Sequence, residues 1–297
     1  MQQLTKEVTN LFSYVKAGVS AYHVAAHSRR QLLEAGFEEL SLKDTWDLAK
    51  GGRYFCMPFG TTLYAFTVGR ECDLRNGIHV GGAHTDFPAI KIKPNPEIFA
   101  QGYMQLNTEV YGGPILNTFF DRPLSLAGRV VTRGGRYDRP MSHLVDFKDP
   151  ILYLPNLAVH MNREVNEKGM PVDNQKHLLP LLGTIGEELD RETSFTGLLA
   201  DRFQLKREDI LDYDLCIYNT ELPYQAGITG EFICAPRLDD ITSVCALVHG
   251  LIESENIDRV NLVCLFDNEE IGSLSKQGAD SQLPAIIIQK IWQAFRR

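Results

Sequence analysis

Residues 260–273 read VNLVCLFDNEEIGS, and the reading of this stretch decides the fold. Val260 to Phe266 is apolar almost throughout. A half-exposed strand alternates apolar and polar residues; an almost continuously apolar one belongs to a sheet covered on both faces, which is the α/β arrangement. The run then breaks into Asp267, Asn268, Glu269 and Glu270. Carboxylates are costly to bury without a partner. A cluster of them at a strand's carboxyl end, where open α/β sheets gather ligands, is therefore a candidate site.

Working outward, APRLDDITSVCALVHGLIES (235–254) reads as an amphipathic helix that begins with acids, and QLPAIIIQKIWQAFRR (282–297) as a closing helix. At the other chain end, Leu4, Val8, Leu11, Phe12 and Val15, then Tyr22, Ala25, Ala26, Leu32 and Leu33, recur at helical spacing. Gly36 is the expected stop. GGRYFCMPFGTTLYAFTVG (51–69) predicts antiparallel strands, and GIHVGGAH (77–84) a short strand entering His84. Between about 95 and 230 the texture changes. MQLNTEVYGG, RPLSLAGRVVTRGG and DLCIYNTELP predict short strands, with brief helices expected in HLLPLLGTIGEEL (177–189) and SFTGLLADRFQL (194–205). The fold class read from this is an α/β domain made from both chain ends, residues 1–94 and 231–297, interrupted by an inserted β-rich domain, 95–230.

Bulk numbers narrow the function. The 297 residues carry 30 Lys and Arg against 38 Asp and Glu, a net charge of −8 that disfavours nucleic acid or an anionic membrane as partner. No apolar run is long enough to span a bilayer, and the first residues lack a signal-peptide layout. The six cysteines show no CxxC pairing and sit mostly in apolar runs. They read as buried free thiols and point to a reducing, cytoplasmic setting.

Three motifs carry the candidate chemistry. AHTDF offers His84 with Asp86, a ligand and the acid that orients it. PRLDD offers Asp239 and Asp240, of which one carboxylate can bridge two ions. DNEEIGS offers Glu269 and Glu270, one as ligand and one as general base toward a metal-activated water. Such oxygen and imidazole donors suit Zn²⁺, Co²⁺ or Mn²⁺. Taken singly, each motif also describes something plainer: a strand-end histidine, the acidic first turn of a helix, a solvated acidic loop. His23 and His27, at helical i, i+4 spacing without an HExxH acid, read as surface or capping residues.

In combination and in order, AHTDFP (83–88), APRLDD (235–240) and FDNEEIGS (266–273) resemble the M18 family of metalloaminopeptidases, the aspartyl-aminopeptidase type. The likeness extends to residues 35–55, TEVYGGPILNTFFDRPLSLAGRV (108–130), LPNLAVHMNREVNEKG (154–169) and GITGEFICAPRLDD (227–240). The resemblance implies a metallopeptidase-type α/β/α domain, an inserted dimerisation domain, two zinc-type ions, and removal of an N-terminal, often acidic, residue from peptides. It implies a homo-oligomer, from dimer to dodecamer. By matching position, His84, Asp239 and Glu270 are metal ligands, Asp239 bridging; Asp86 orients His84; Glu269 is the general base; and His160 is lent to a neighbouring subunit's site.

The family pattern continues beyond SKQGADS with an Asp and a His that complete the two ions. The expectation is therefore a C-terminally truncated chain, with two of three protein ligands per ion, weak metal binding and little peptidase activity alone. Two other readings stand beside this one. In the first, Asp240, Asp267 or water replaces the lost ligands. In the second, the chain is a non-enzymatic subunit acting through oligomerisation.

Overall fold

The computed structural model describes residues 4–136, 138–186, 189–190 and 193–295. The chain forms two compact units: Met1–Phe87 with Leu222–Arg297, and Pro88–Glu221.

The first unit is α/β. Its sheet has the order β1–β2–β3–β13–β4, where β1 is Glu38–Glu39, β2 Arg53–Cys56, β3 Leu63–Val68, β4 Ile78–His84 and β13 Val260–Phe266. β13 runs antiparallel to β3 and parallel to β4. As its sequence predicts, β13 is buried on both faces. Leu262 and Cys264 join Tyr64, Phe66, Trp46 and the helix α6 (Leu283–Phe295) through Ile287 and Ile291, while the alternate Val263 and Leu265 are equally buried. Over β4, Leu247 of α5 (Leu238–Glu253) lies so close to Gly81 that a Cβ there would overlap its side chain. Two further helices, α1 (Lys6–Ala17) and α2 (Ala21–Glu34), pack on α5. Thr5 and Ser20 cap them by accepting from the Val8 and His23 amides. Gly36, at φ +81°, follows the end of α2, in the left-handed region where glycine is least strained. A two-stranded ribbon, β11 (Tyr224–Ala226) with β12 (Phe232–Cys234), completes this unit.

The second unit is an antiparallel sheet, β8–β7–β10–β5–β6–β9. It comprises β5 (Ala89–Ala100), β6 (Tyr103–Tyr111), β7 (Leu124–Arg136), β8 (Arg139–Asp146), β9 (Leu181–Thr184) and β10 (Ile210–Asn219). The helices α3 (Val165–Lys168) and α4 (Phe195–Phe203) belong to it, and Leu106, Leu124, Leu126, Val130, Phe195, Leu199 and Ile217 fill its core.

Four sequence expectations change. The limits of the insertion move, because β5 begins at Ala89 and crosses position 94, while the ribbon before residue 235 packs with the first unit. The helix expected in 177–189 is instead β9, where Leu181–Thr184 pairs with β6; Pro180 and Gly183 weaken a helix, and a sheet edge was free. The acids of PRLDD precede regular helix. Arg237 is left-handed, Asp239 and Asp240 leave helical dihedrals around a cis peptide bond, and the regular turn starts at Ile241. His27 is not on the surface: it is buried against Tyr14, edge to face at 4.4 Å between ring centroids. His23 does contact the cap, its Nδ1 lying 2.8 Å from Ser20 Oγ. All six cysteines are free, five of them buried and Cys234 half-buried.

Candidate metal centre

Parallel pairing assembles the site. In the β4–β13 ladder His84 stands opposite Phe266, so both strands end at the same level. The residues after them, Thr85–Asp86 and Asp267–Glu270, emerge side by side. The start of α5 meets the same edge, where Asp240 Oδ2 accepts the His84 amide at 3.1 Å. Three segments distant in sequence thus deliver their polar residues to one place.

Asp86, almost fully buried, organises it. Its two carboxylate oxygens accept the Glu269 and Glu270 amides, each at 3.2 Å. Its carbonyl oxygen lies 2.9 Å from His84 Nδ1, and its Oδ1 lies 3.5 Å from the same nitrogen. A carbonyl only accepts, so Nδ1 carries a proton, and in the neutral ring Nε2 is the lone-pair nitrogen. Around Nε2 stand Asp239 Oδ1 at 3.2 Å, Glu269 Oε2 at 3.8 Å and Asp240 Oδ2 at 3.9 Å. His84, Glu269 and Glu270 each offer a ligand atom, all mutually within 4.8 Å. The loop behind them is shaped by Asp267 and Asn268. Asp267 accepts the Asn268 amide at 2.7 Å, and Asn268 takes the left-handed conformation that asparagine tolerates.

Electrostatics follow from this crowding. Burial works against charge on His84, but the hydrogen bonds and charge of Asp86, with Asp240, prevail and raise its pKa to about 9. Glu270 is pushed upward, first by burial; His84 lowers it, and Asp86, Glu269 and Asp239 raise it again. One imidazole faces five carboxylates, those of Asp86, Asp239, Asp240, Glu269 and Glu270. A divalent cation would relieve that repulsion and displace the proton from Nε2.

The donors fit such an ion. Ligand atoms about 2.0–2.1 Å from zinc stand roughly 3.3 Å apart in a tetrahedron. The 3.2 Å from His84 Nε2 to Asp239 Oδ1 matches that spacing, and Glu270 offers a carboxylate oxygen within 4.8 Å of the His84 ring, in reach of the same ion with side-chain adjustment. The set contains nitrogen and oxygen but no thiolate, which suits Zn²⁺, Co²⁺ or Mn²⁺.

Of the residues singled out in the sequence, His84, Asp86, Asp239, Glu269 and Glu270 come together here. His160 does not belong to this unit; it lies exposed in a turn of Pro88–Glu221. Sequence reasoning missed the contact of Asp240 with the His84 amide. It also missed Thr85, whose buried hydroxyl donates to the Thr61 and Phe266 carbonyls and ties β4 to β3 and β13. The only available signal was a polar residue flanked by two candidate ligands.

The family described as aminopeptidase I zinc metalloprotease (M18) matches residues 14–297. A Clostridium acetobutylicum protein named as a probable M18 family aminopeptidase 2 is 41% identical over 286 residues, covering 96% of this chain and 66% of that protein. Its counterpart from Pseudomonas savastanoi is 40% identical, covering 95% of this chain and 65% of that protein. Among solved structures, Chaetomium thermophilum mApe1 superimposes with a TM-score of 0.87 at 28% identity, covering 97% of this chain and 68% of that one. The structure of the Ape4 and Nbr1 complex gives 0.91 at 30% identity, with coverages of 99% and 62%. The chain spans about two thirds of the length of the curated relatives it matches. With strand-end acids and a tautomer-fixed histidine where three segments meet, and with relatives this similar along nearly all of its length, the chain belongs to the M18 family of metalloaminopeptidases.

Proposed function

We propose that these residues form part of the active site of a zinc-dependent aminopeptidase that removes N-terminal, preferentially acidic, residues from peptides. The observation that carries the reading is the convergence of His84 Nε2, with its tautomer fixed by Asp86, upon Glu269, Glu270 and Asp239. His84, Asp239 and Glu270 would hold two ions, with Asp239 shared between them. Bound zinc supplies Lewis acidity toward a carbonyl and lowers the pKa of a water. Glu269, the more exposed glutamate with its amide anchored on Asp86, takes a proton from the attacking water and returns it to the leaving amine. Glu270 is half-buried, and its raised pKa marks a carboxylate that gains from a cation beside it.

Homo-oligomerisation through the inserted unit, dimer to dodecamer, is part of this reading, with exposed His160 reaching a neighbouring subunit's site. The unbridged cysteines favour a cytoplasmic setting. For these 297 residues by themselves, the proposal includes weak metal affinity and little turnover. Among the described residues the assigned ligands number two per ion when Asp239 is counted twice, against the three or more protein ligands of zinc sites.

The test pairs zinc titration with hydrolysis of an aspartyl-reporter substrate, for the chain and for Glu269→Gln. Under this reading zinc binds both proteins equally weakly, and any turnover disappears in the variant. Turnover that survives Glu269→Gln removes the general-base assignment. Tight stoichiometric zinc with full turnover removes the impairment and favours Asp240 or water as the completing ligand.

A further inference from the structure

The Glu269–Glu270 turn is gripped from two sides. From β4, Asp86 holds both glutamate amides. From the opposite side the anchor is Gln277, a residue no motif singles out. Its Nε2 donates to Thr61 Oγ1 at 2.6 Å and to Asp267 Oδ2 at 2.9 Å. Its carbonyl accepts the Asp267 amide at 3.1 Å and the Thr62 hydroxyl at 3.0 Å, and its amide donates to Ser275 Oγ at 3.1 Å. Ser275 in turn donates to Asn268 Oδ1 at 2.6 Å. Thr61 and Thr62 are buried at the start of β3, the strand beside the end of β13. Residues 267–277 therefore form a loop closed on itself and pinned to the sheet. Gly278 packs so tightly beneath it that a Cβ would overlap the Ser273 carbonyl oxygen.

We propose that Gln277 is a positioning residue for the metal centre: by joining Asp267 to Thr61 it fixes the height and direction at which Glu269 and Glu270 leave β13. The argument is one of donors and acceptors. Asp267 is nearly buried, and its carboxylate needs N–H donors; Asn268 supplies them to Oδ1, and Gln277 supplies one to Oδ2. Gln277→Ala removes that donor and with it the side-chain bridge from Asp267 to Thr61. Losing the bridge loosens the residue two positions before Glu269. Supporting groups of this kind are worth about 10–100-fold in metal affinity. The inference rests on the metal reading for its consequence, and on hydrogen bonding alone for its local effect.

The experiment separates the two. Hydrogen exchange followed by mass spectrometry over 267–280 and Zn²⁺ affinity by calorimetry are measured for the 297-residue chain, Gln277→Ala, and Thr61→Val, which removes only the hydroxyl acceptor. Asn256→Ala is the control; Asn256 also anchors β3, through Thr67, but ahead of β13 in the chain and away from the site. Expected are faster exchange confined to 267–280 in Gln277→Ala, a smaller increase in Thr61→Val, and zinc affinity lower by about 10–100-fold in Gln277→Ala. Asn256→Ala should leave both readouts unchanged. Wild-type exchange over 267–280 in both site variants overturns the proposal, as does acceleration spread evenly over the whole first unit. If the unsubstituted chain binds no zinc, the metal reading fails while the exchange comparison still decides the role of Gln277. If Gln277→Ala does not fold, Thr61→Val decides it.

Discussion

His84 and His27 belong to the same compact unit, and burial disfavours the charged form of both. Their neighbours send them opposite ways. At the carboxyl ends of β4 and β13, His84 meets Asp86 and Asp240 and rises to about 9. Between α1, α2 and α5, His27 meets Arg30, whose Nη2 lies 2.6 Å from Nδ1, and His249; with burial as the leading cause, it falls to about 4. Tyr14 presents its ring to His27 and to His249. The two regions show how one side chain serves a binding site or a packing layer according to the sign of the charge beside it. The carboxylates around Nε2 make sense with a cation to share. In the helical layer the charge beside the ring is already the Arg30 guanidinium, and the histidine is held toward its neutral form.

His84→Ala carries the greatest loss. Removing a ligand costs more than removing its support, so zinc affinity should fall by more than about 100-fold. His27→Ala should leave zinc affinity unchanged, since the groups His27 meets are Tyr14, Arg30 and His249 and none of them is a residue of the metal centre. Calorimetric titration of the two variants checks this. Equal losses would mean that His84 is no ligand and that both substitutions act through the fold.

The next effect concerns stability and belongs to His27. Its folded pKa lies below its ordinary 6.5, so the unfolded chain binds the proton more readily. Stability from the neutral imidazole is therefore fully present above pH 6.5. It is lost as pH falls toward about 4. The full shift corresponds to something on the order of 3 kcal/mol. His27→Leu, which keeps the bulk and cannot take a proton, should flatten the stability curve across that window. Both tryptophans, Trp46 and Trp292, lie in the first unit, so their fluorescence during urea unfolding reports on it directly. An unchanged pH slope in the variant would show that His27 is not the group that titrates.

The same contrast explains what the sequence made legible. β13 could be read because burial on both faces leaves an apolar run that needs no partner to interpret. His84, Glu269 and Glu270 could be read because acids at a strand end are conspicuous. His27 reads as a surface residue from its spacing to His23 alone, yet Val24, Ala25, Ser28 and Leu32 of the same helix are buried with it. Asp239 and Asp240 looked like an ordinary acidic first turn, since nothing local announces that Arg237 turns left-handed before them. β9 is not legible locally because its pairing partner is β6, nearly eighty residues earlier in the chain. Least legible was the support behind the site. Gln277 and Thr61 are 216 residues apart, and no periodicity links a glutamine to a threonine at that distance.

The smallest effect separates the helical layer's pH-dependent energy from its fixed energy. Ser20 caps α2, the helix that carries His27, by accepting the His23 amide at 3.4 Å, and its hydroxyl also meets His23 Nδ1. Ser20→Ala removes the side-chain acceptor but leaves the His23 amide its 2.9 Å bond to the Ser20 carbonyl, so the cost is at most about 1 kcal/mol. The long amide contact places the effect at or below that figure. The hydroxyl itself does not titrate in this range but the His23 imidazole it meets does, so the comparison is made in a His23→Ala background, where the loss should be the same at neutral pH and in the window where His27 takes up its proton. The urea midpoint should shift in parallel at every pH, without a change in slope. If the loss grows as pH falls, the cap and the buried imidazole are coupled through α2. The helical layer would then be a titrating unit in its own right, and its contrast with the metal centre would be one of degree.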